Sequence, residues 1–225
     1  SNTEPVLKLD RVSKSFPGVK ALDCVDFEVL PGEVHVLLGE NGAGKSTLIK
    51  IISGAYSKDE GIMYICGEEV EISGPMDAIR LGISTIYQEF NLAPHLSVAE
   101  NLLMGNVPTS NRLGKIDWTR MFDESIALLK QLDIDDIEPG TLVRDLSVAQ
   151  QRLVEIAKAL AVNARVVIMD EPTACLTRSE IERLFQVIES LTQKGVGIIY
   201  ISHRLDEVFE IGNRVTVLRD GRKVG

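Results

Sequence analysis

Gly39-Glu40-Asn41-Gly42-Ala43-Gly44-Lys45-Ser46-Thr47 is the stretch from which the rest of this chain can be read. It fits G-x-x-x-x-G-K-[ST], the phosphate-binding P-loop, with Gly39, Gly44, Lys45 and Ser46 in register. The apolar run Val34-His35-Val36-Leu37-Leu38 leads in as a buried strand, and Leu48, Ile49, Ile51 and Ile52 follow at helical spacing. Small residues let the backbone wrap closely around a phosphate, so that successive N–H groups face inward as an anion nest. The helix that follows adds the positive end of its dipole. Lys45 is placed to reach β- and γ-phosphates and Ser46 to ligate Mg²⁺. The stretch predicts a nucleoside triphosphate site.

Composition sets the frame. The 225 residues suffice for one large α/β domain with room for an inserted subdomain. A hydrophobic content of 44% and a charged content of 25% are those of an ordinary globular protein. The formal net charge of −9 argues against a nucleic-acid partner, which calls for a basic face. No apolar stretch approaches the ~18 residues of a membrane span, and no secretory leader pattern stands at the start. Cys24, Cys66 and Cys175 are odd in number and far apart, which suits reduced thiols rather than a disulfide framework or a metal knuckle.

Outward from the loop, the first ~35 residues read as β, with Val25, Phe27 and Val29 alternating before a Pro31-Gly32 turn. Gly61 to Ile65 and Ile83 to Tyr87 are further short strands. From about 90 to 154 the pattern turns helical. Asp117 caps a helix whose apolar positions are Trp118, Phe122, Ile126, Leu129 and Leu132, and a second helix carries Leu153, Ile156, Ala157 and Leu160. Strand and helix then alternate. Val166 to Met169 is a doubly covered strand, and Thr177-x-x-Glu180 opens a helix with Ile181, Leu184, Phe185, Ile188 and Leu191 on one face. Gly197 to Ile201 and Arg214 to Arg219 are the last strands before an Asp220-Gly221 hairpin turn.

Four further elements narrow the chemistry. The strand Val166–Met169 runs into Asp170-Glu171; Asp170 can hold Mg²⁺, and Glu171 can orient and deprotonate a water. Two solvated acids at a strand end are the plainer alternative. His203 follows the strand ending Ile201-Ser202, at the carboxyl edge of the sheet where ligands of open α/β folds bind, so its imidazole can touch a γ-phosphate. His35, within an apolar strand, and His95, in a loop beside Pro94, read as structural. Gln88 follows the strand Ile83–Tyr87, where its amide can contact Mg²⁺ or the attacking water. Ser147-x-x-Gln150 is a capping box whose hydroxyl and free N–H groups suit a phosphate, although the same residues also read as an ordinary helix start.

Taken in order, P-loop, glutamine, serine-capped helix, Asp-Glu strand end and histidine resemble the ATP-binding cassette (ABC) ATPases over essentially the whole chain. The resemblance implies an α/β P-loop NTPase core with a mostly parallel sheet, an antiparallel β subdomain and an inserted helical subdomain. Core residues would be 1–90 and 155–225, and the helical subdomain 91–154. It makes Gly39, Glu40, Asn41, Gly42, Ala43, Gly44, Lys45, Ser46 and Thr47 the ATP-binding loop, and Phe16 the aromatic that stacks on adenine, with a plain core phenylalanine as its alternative. Glu171 becomes the base, His203 the switch histidine and Gln88 the Q-loop, with Lys45 completing the catalytic set. Ser46, Gln88 and Asp170 become the Mg²⁺ ligands. Ser147, Val148, Ala149 and Gln150 become the signature presented in trans to ATP on a partner cassette.

More narrowly, residues 15–22, 154–160 and 199–205 resemble the ribose/galactose-type bacterial sugar importers, in which two cassettes share one chain. That implies an N-terminal cassette of a longer protein, peripheral on the cytoplasmic face of the membrane. Its partners would be a second cassette, an integral membrane permease and, indirectly, a periplasmic solute-binding protein. A non-transport cassette ATPase of DNA repair or translation is the alternative; the short, heptad-free insertion and the acidic charge speak against it. Two departures stand out. The usual Leu-Ser-Gly-Gly-Gln is Leu146-Ser147-Val148-Ala149-Gln150, and the usual Ser-Ala-Leu-Asp is Ala174-Cys175-Leu176-Thr177. Both altered motifs act in trans, while the cis residues are intact, so the resemblance implies two unequal sites.

Overall fold

The computed structural model describes residues 4–110 and 115–225. In chain order the elements are β1 (Leu7–Phe16), β2 (Val19–Val29), β3 (Val34–Leu38), α1 (Lys45–Ile52), β4 (Glu60–Ile65), β5 (Glu68–Val70), α2 (Pro75–Arg80) and β6 (Ile83–Ile86). Next come α3 (Val98–Leu102), α4 (Trp118–Lys130), a 3₁₀ turn (Val143–Asp145), α5 (Val148–Ala161), β7 (Val166–Asp170) and α6 (Arg178–Gln193). The chain continues with β8 (Gly197–Ile201), α7 (Leu205–Ile211), β9 (Arg214–Arg219) and β10 (Arg222–Lys223). They group into two compact units, one of residues 4–87, 164–172 and 192–225, the other of 88–163 and 173–191.

The first unit holds two sheets. An antiparallel sheet runs β2-β1-β4-β5, and a second runs β10-β9-β3-β8-β7-β6, parallel except for the β9–β10 hairpin. The parallel strands β3, β7 and β8 are almost wholly buried, as expected of apolar runs covered on both faces. Leu9, Val25 and Phe27 of the antiparallel sheet share one hydrophobic core with Leu37, Ile168 and Ile199 of the parallel sheet and Leu48 and Ile52 of α1. Each such side chain contributes about 1.5–3 kcal/mol on burial. That burial anchors α1, and with it the loop at its N-terminus. The Asp220-Gly221 turn that joins β9 to β10 has φ of 50° and 76°, the left-handed pair of a tight hairpin.

The second unit is helical but carries long irregular connections. Asp117 caps α4, accepting from the Arg120 amide at 3.1 Å. Its buried face differs from the one the sequence suggests: Met121, Ser125 and Leu129 are inside, while Trp118 and Ile126 are exposed at 48% and 38%. Ser125 tolerates burial because its hydroxyl donates to the Met121 carbonyl at 2.8 Å. At the start of α6 the Glu180 carboxylate accepts from the Thr177 amide at 2.7 Å and from the Thr177 hydroxyl at 2.8 Å, and Ile181, Leu184, Phe185, Ile188 and Leu191 are buried as the pattern predicts. Cys24, Cys66 and Cys175 are free and exposed.

Candidate active site

Parallel pairing of β9, β3, β8, β7 and β6 places all their carboxyl ends on one edge of the sheet. From that edge β3 delivers the loop at Gly39, β7 delivers Asp170-Glu171, and β8, lying between them, delivers Ser202-His203. Strand order alone therefore sets the histidine between the phosphate loop and the two acids.

The loop depends on glycine at two points. Gly39 has φ +155° and a Cβ there would lie 2.5 Å from the Leu218 carbonyl oxygen; Gly44, the N-cap of α1, has φ +105° and a Cβ would lie 2.6 Å from the Ala21 carbonyl oxygen. Only glycine fits such backbone with so close an approach. The Lys45 ammonium folds back into the loop and donates to the carbonyls of Gly39 at 2.5 Å and Glu40 at 3.1 Å. The loop opens on a cavity of about 680 Å³, whose lining includes Phe16, Lys20, Asn41, Gly44, Ser46 and Asp220. Gly42 and Thr47 also line it, while Ala43 is buried and ties its carbonyl to the Gly221 amide at 3.1 Å. Phe16 sits half-buried at the end of β1, edge-on to Tyr56 with ring centroids 5.4 Å apart and with the Lys14 ammonium 5.7 Å from its centroid. It therefore lines a cavity rather than filling the core.

Asp170 is half-buried, and burial pushes its carboxyl above the ordinary value; the charge of Glu171 adds to this and Lys45 opposes it. Glu171 has φ +47°, a left-handed conformation that is uncommon for a non-glycine residue, held by its amide donating to the Ile201 carbonyl at 3.0 Å. That turn aims its carboxylate at His203, whose Nδ1 lies 3.0 Å from Glu171 Oε1. The imidazole side chain is 76% exposed.

The second unit carries Gln88 and residues 147–150. Gln88 is exposed, and its carbonyl accepts from Arg152 Nη2 at 3.0 Å. Arg152 is buried, stacks 4.6 Å from the Phe90 ring centroid and pairs with Glu155 at 2.7 Å; Glu155 in turn accepts from the Asn91 amide at 2.7 Å. This pair clamps residues 88–91 onto α5. Burial pushes the Glu155 carboxyl up and the Arg152 guanidinium down, with each partner opposing the other's shift. At the N-terminus of α5, Ser147 is the N-cap in a complete capping box: Gln150 N donates to Ser147 Oγ at 3.2 Å, and Gln150 Oε1 accepts from the Ser147 amide at 3.1 Å. Val148 and Ala149 lie in the first helical turn without left-handed backbone, so replacing glycine there adds Cβ atoms without straining the cap. Val148 is 43% exposed. Gln150 also donates to Asp136 at 3.3 Å, and Arg183 grips the same carboxylate through two nitrogens, holding it at about 2.

The structure thus gathers Phe16, residues 39–47, Asp170, Glu171 and His203 in the first unit, and Gln88 with Ser147–Gln150 in the second. Sequence reading missed the Arg152–Glu155 clamp, the Asp136–Arg183 pair and Asp220 at the cavity. Only the first left a sequence signal, opposite charges three apart amid the apolar positions of α5.

A model of the family described as ABC transporter matches residues 22–174. The chain belongs to that family. Among curated relatives, a ribose import ATP-binding protein of Rubrobacter xylanophilus is 58% identical over 98% of this chain and 44% of its own length. A xylose import ATP-binding protein of Moorella thermoacetica is 50% identical over 98% of this chain and 44% of its own. The chain spans less than half the length of such relatives. Among solved structures, a nucleotide-free ATP-binding cassette from an ABC transporter superposes with a TM-score of 0.85 at 30% identity, over 98% of this chain and 90% of that one. The ABC ATPase fold expected from the motifs is the fold observed.

Proposed function

We propose that this chain binds and hydrolyses ATP as one cassette of an importer that drives a monosaccharide through a membrane permease. The observation that carries the reading is the Glu171–His203 contact, at 3.0 Å on the same sheet edge as the glycine-built loop. The loop amides and Lys45 would bind the triphosphate, and Phe16 the base. Glu171 would position water for in-line attack and take its proton, and His203 would contact the γ-phosphate. Mg²⁺ fits the donor set: Ser46 and Asp170 offer the oxygens this hard cation prefers, with Gln88 a further candidate. No group of three or more His, Cys, Asp or Glu able to hold a metal occurs among the described residues, so phosphate oxygens would supply the remaining ligands. Held by Ser46 and Asp170, Mg²⁺ would supply positive charge against the phosphoryl oxygens where negative charge develops.

The import reading is supported by the relatives, which are named as sugar import proteins and not as repair or translation proteins. None of the described helices is long and apolar enough to cross a membrane, which suits a subunit docked peripherally on the cytoplasmic face. The relatives' greater length suits a second cassette in the same chain. Residues 91–154 would form the helical subdomain that faces the permease, and a periplasmic solute-binding protein would choose the sugar. Val148 and Ala149 would weaken the site that this signature completes in trans, leaving two unequal sites. The test is ATP hydrolysis by the full-length protein in membranes with its permease. Sugar-stimulated hydrolysis, lost in Lys45→Ala, is expected; hydrolysis indifferent to the permease removes the import reading.

A further inference from the structure

One buried carboxylate beside the site has no part in the scheme above. Glu207, in the first turn of α7, is 0% exposed. Its Oε2 accepts from Tyr200 Oη at 2.9 Å and from Ser202 Oγ at 2.8 Å, and its Oε1 pairs with Arg204 Nη1 at 3.0 Å. Ser202 Oγ also accepts from the Arg204 amide at 3.1 Å. A carboxylate without water persists only where donors surround it. Three such donors are Ser202 before His203, Arg204 after it, and Tyr200, the next-to-last residue of β8. The His203 side chain points away into solvent and reaches Glu171.

A solvated imidazole on a short turn has little of its own to fix its place. We propose that Glu207 is a positioning residue for His203: by locking Ser202 and Arg204 it fixes the main chain of the β8–α7 turn so that Nδ1 meets Glu171. Pinning both neighbours leaves the ring only its own torsions, and the Glu171 contact selects among those. The burial of Glu207 makes the lock stiff, because releasing either neighbour removes a donor that water does not replace there.

The test measures the Nδ1 chemical shift of His203 in this chain, one of three histidines, identified by His203→Ala. Glu171→Gln, by replacing the carboxylate that Nδ1 faces, moves that resonance. In Glu207→Ala, and in the milder Ser202→Ala should the first not fold, more than half of that response is expected to vanish, while the ring signals of buried His35 stay in place. A response that keeps more than half its size overturns the proposal. This readout requires no hydrolysis, so its failure is distinct from failure of the ATPase reading. On that reading rests the further expectation that Glu207→Ala lowers kcat of the full-length protein with KM for ATP unchanged.

Discussion

Mild acid should destabilise this fold in part through His35 of β3, the strand that delivers the phosphate loop. His35 is 2% exposed and lies 4.6 Å from the Phe27 ring. Its Nδ1 faces the Glu28 carbonyl at 2.7 Å and its Nε2 the Thr216 hydroxyl at 2.8 Å. A carbonyl only accepts, so Nδ1 carries the hydrogen and Nε2 accepts from Thr216 in the neutral ring. Burial lowers the histidine from 6.5 to about 4; Glu33 opposes the shift and Arg214 reinforces it. The folded value is the depressed one, so this stability is present above about 6.5 and drains away as pH falls toward about 4. At about 1.4 kcal/mol per tenfold in proton affinity the gap is worth about 3 kcal/mol, of which about 2 is gone by about pH 5. Urea unfolding at pH near 7 and near 5, on wild type and on His35→Gln, isolates the effect from other titrating groups. Wild type should lose about 2 kcal/mol more than the variant between the two conditions. An equal loss in both would exclude His35 as the cause.

Gly44→Ala places a Cβ 2.6 Å from the Ala21 carbonyl at φ +105°, so ATP affinity measured by equilibrium titration should fall at least about tenfold from the strain of about 1–2 kcal/mol plus the clash; wild-type affinity would show the loop tolerates the change. Glu155→Ala strands the buried Arg152 and the Asn91 amide and should cost about 3–5 kcal/mol in chemical denaturation, whereas a loss below about 1 would mean the clamp is unimportant to the fold. Asp136→Asn breaks a half-exposed pair with Arg183, so it should cost no more than about 1 kcal/mol and less at high salt; a larger, salt-independent loss would contradict the screened picture.

The strands that carry the site were legible because parallel strands covered on both faces are written as unbroken apolar runs, as in β3, β7 and β8. Once those were placed, the positions of Gly39, Asp170 and His203 at their ends followed. The face of α4 was not legible. Its buried Ser125 hides its hydroxyl on the backbone, and its exposed Trp118 and Ile126 look like core residues in one dimension. Charged residues inside were harder to read, because each is buried only by virtue of a partner. Arg152 reaches Gln88 across 64 positions of sequence, and Glu207 depends on three donors that spacing alone does not bring together.

The role proposed for Glu171 is to take the proton of the attacking water. Its most direct test is MgATP binding and steady-state hydrolysis by the full-length protein carrying Glu171→Gln. Binding near that of wild type is expected, with turnover reduced by about 10²–10⁴, the contribution of a positioned general base. Turnover at the wild-type rate with binding intact would contradict it.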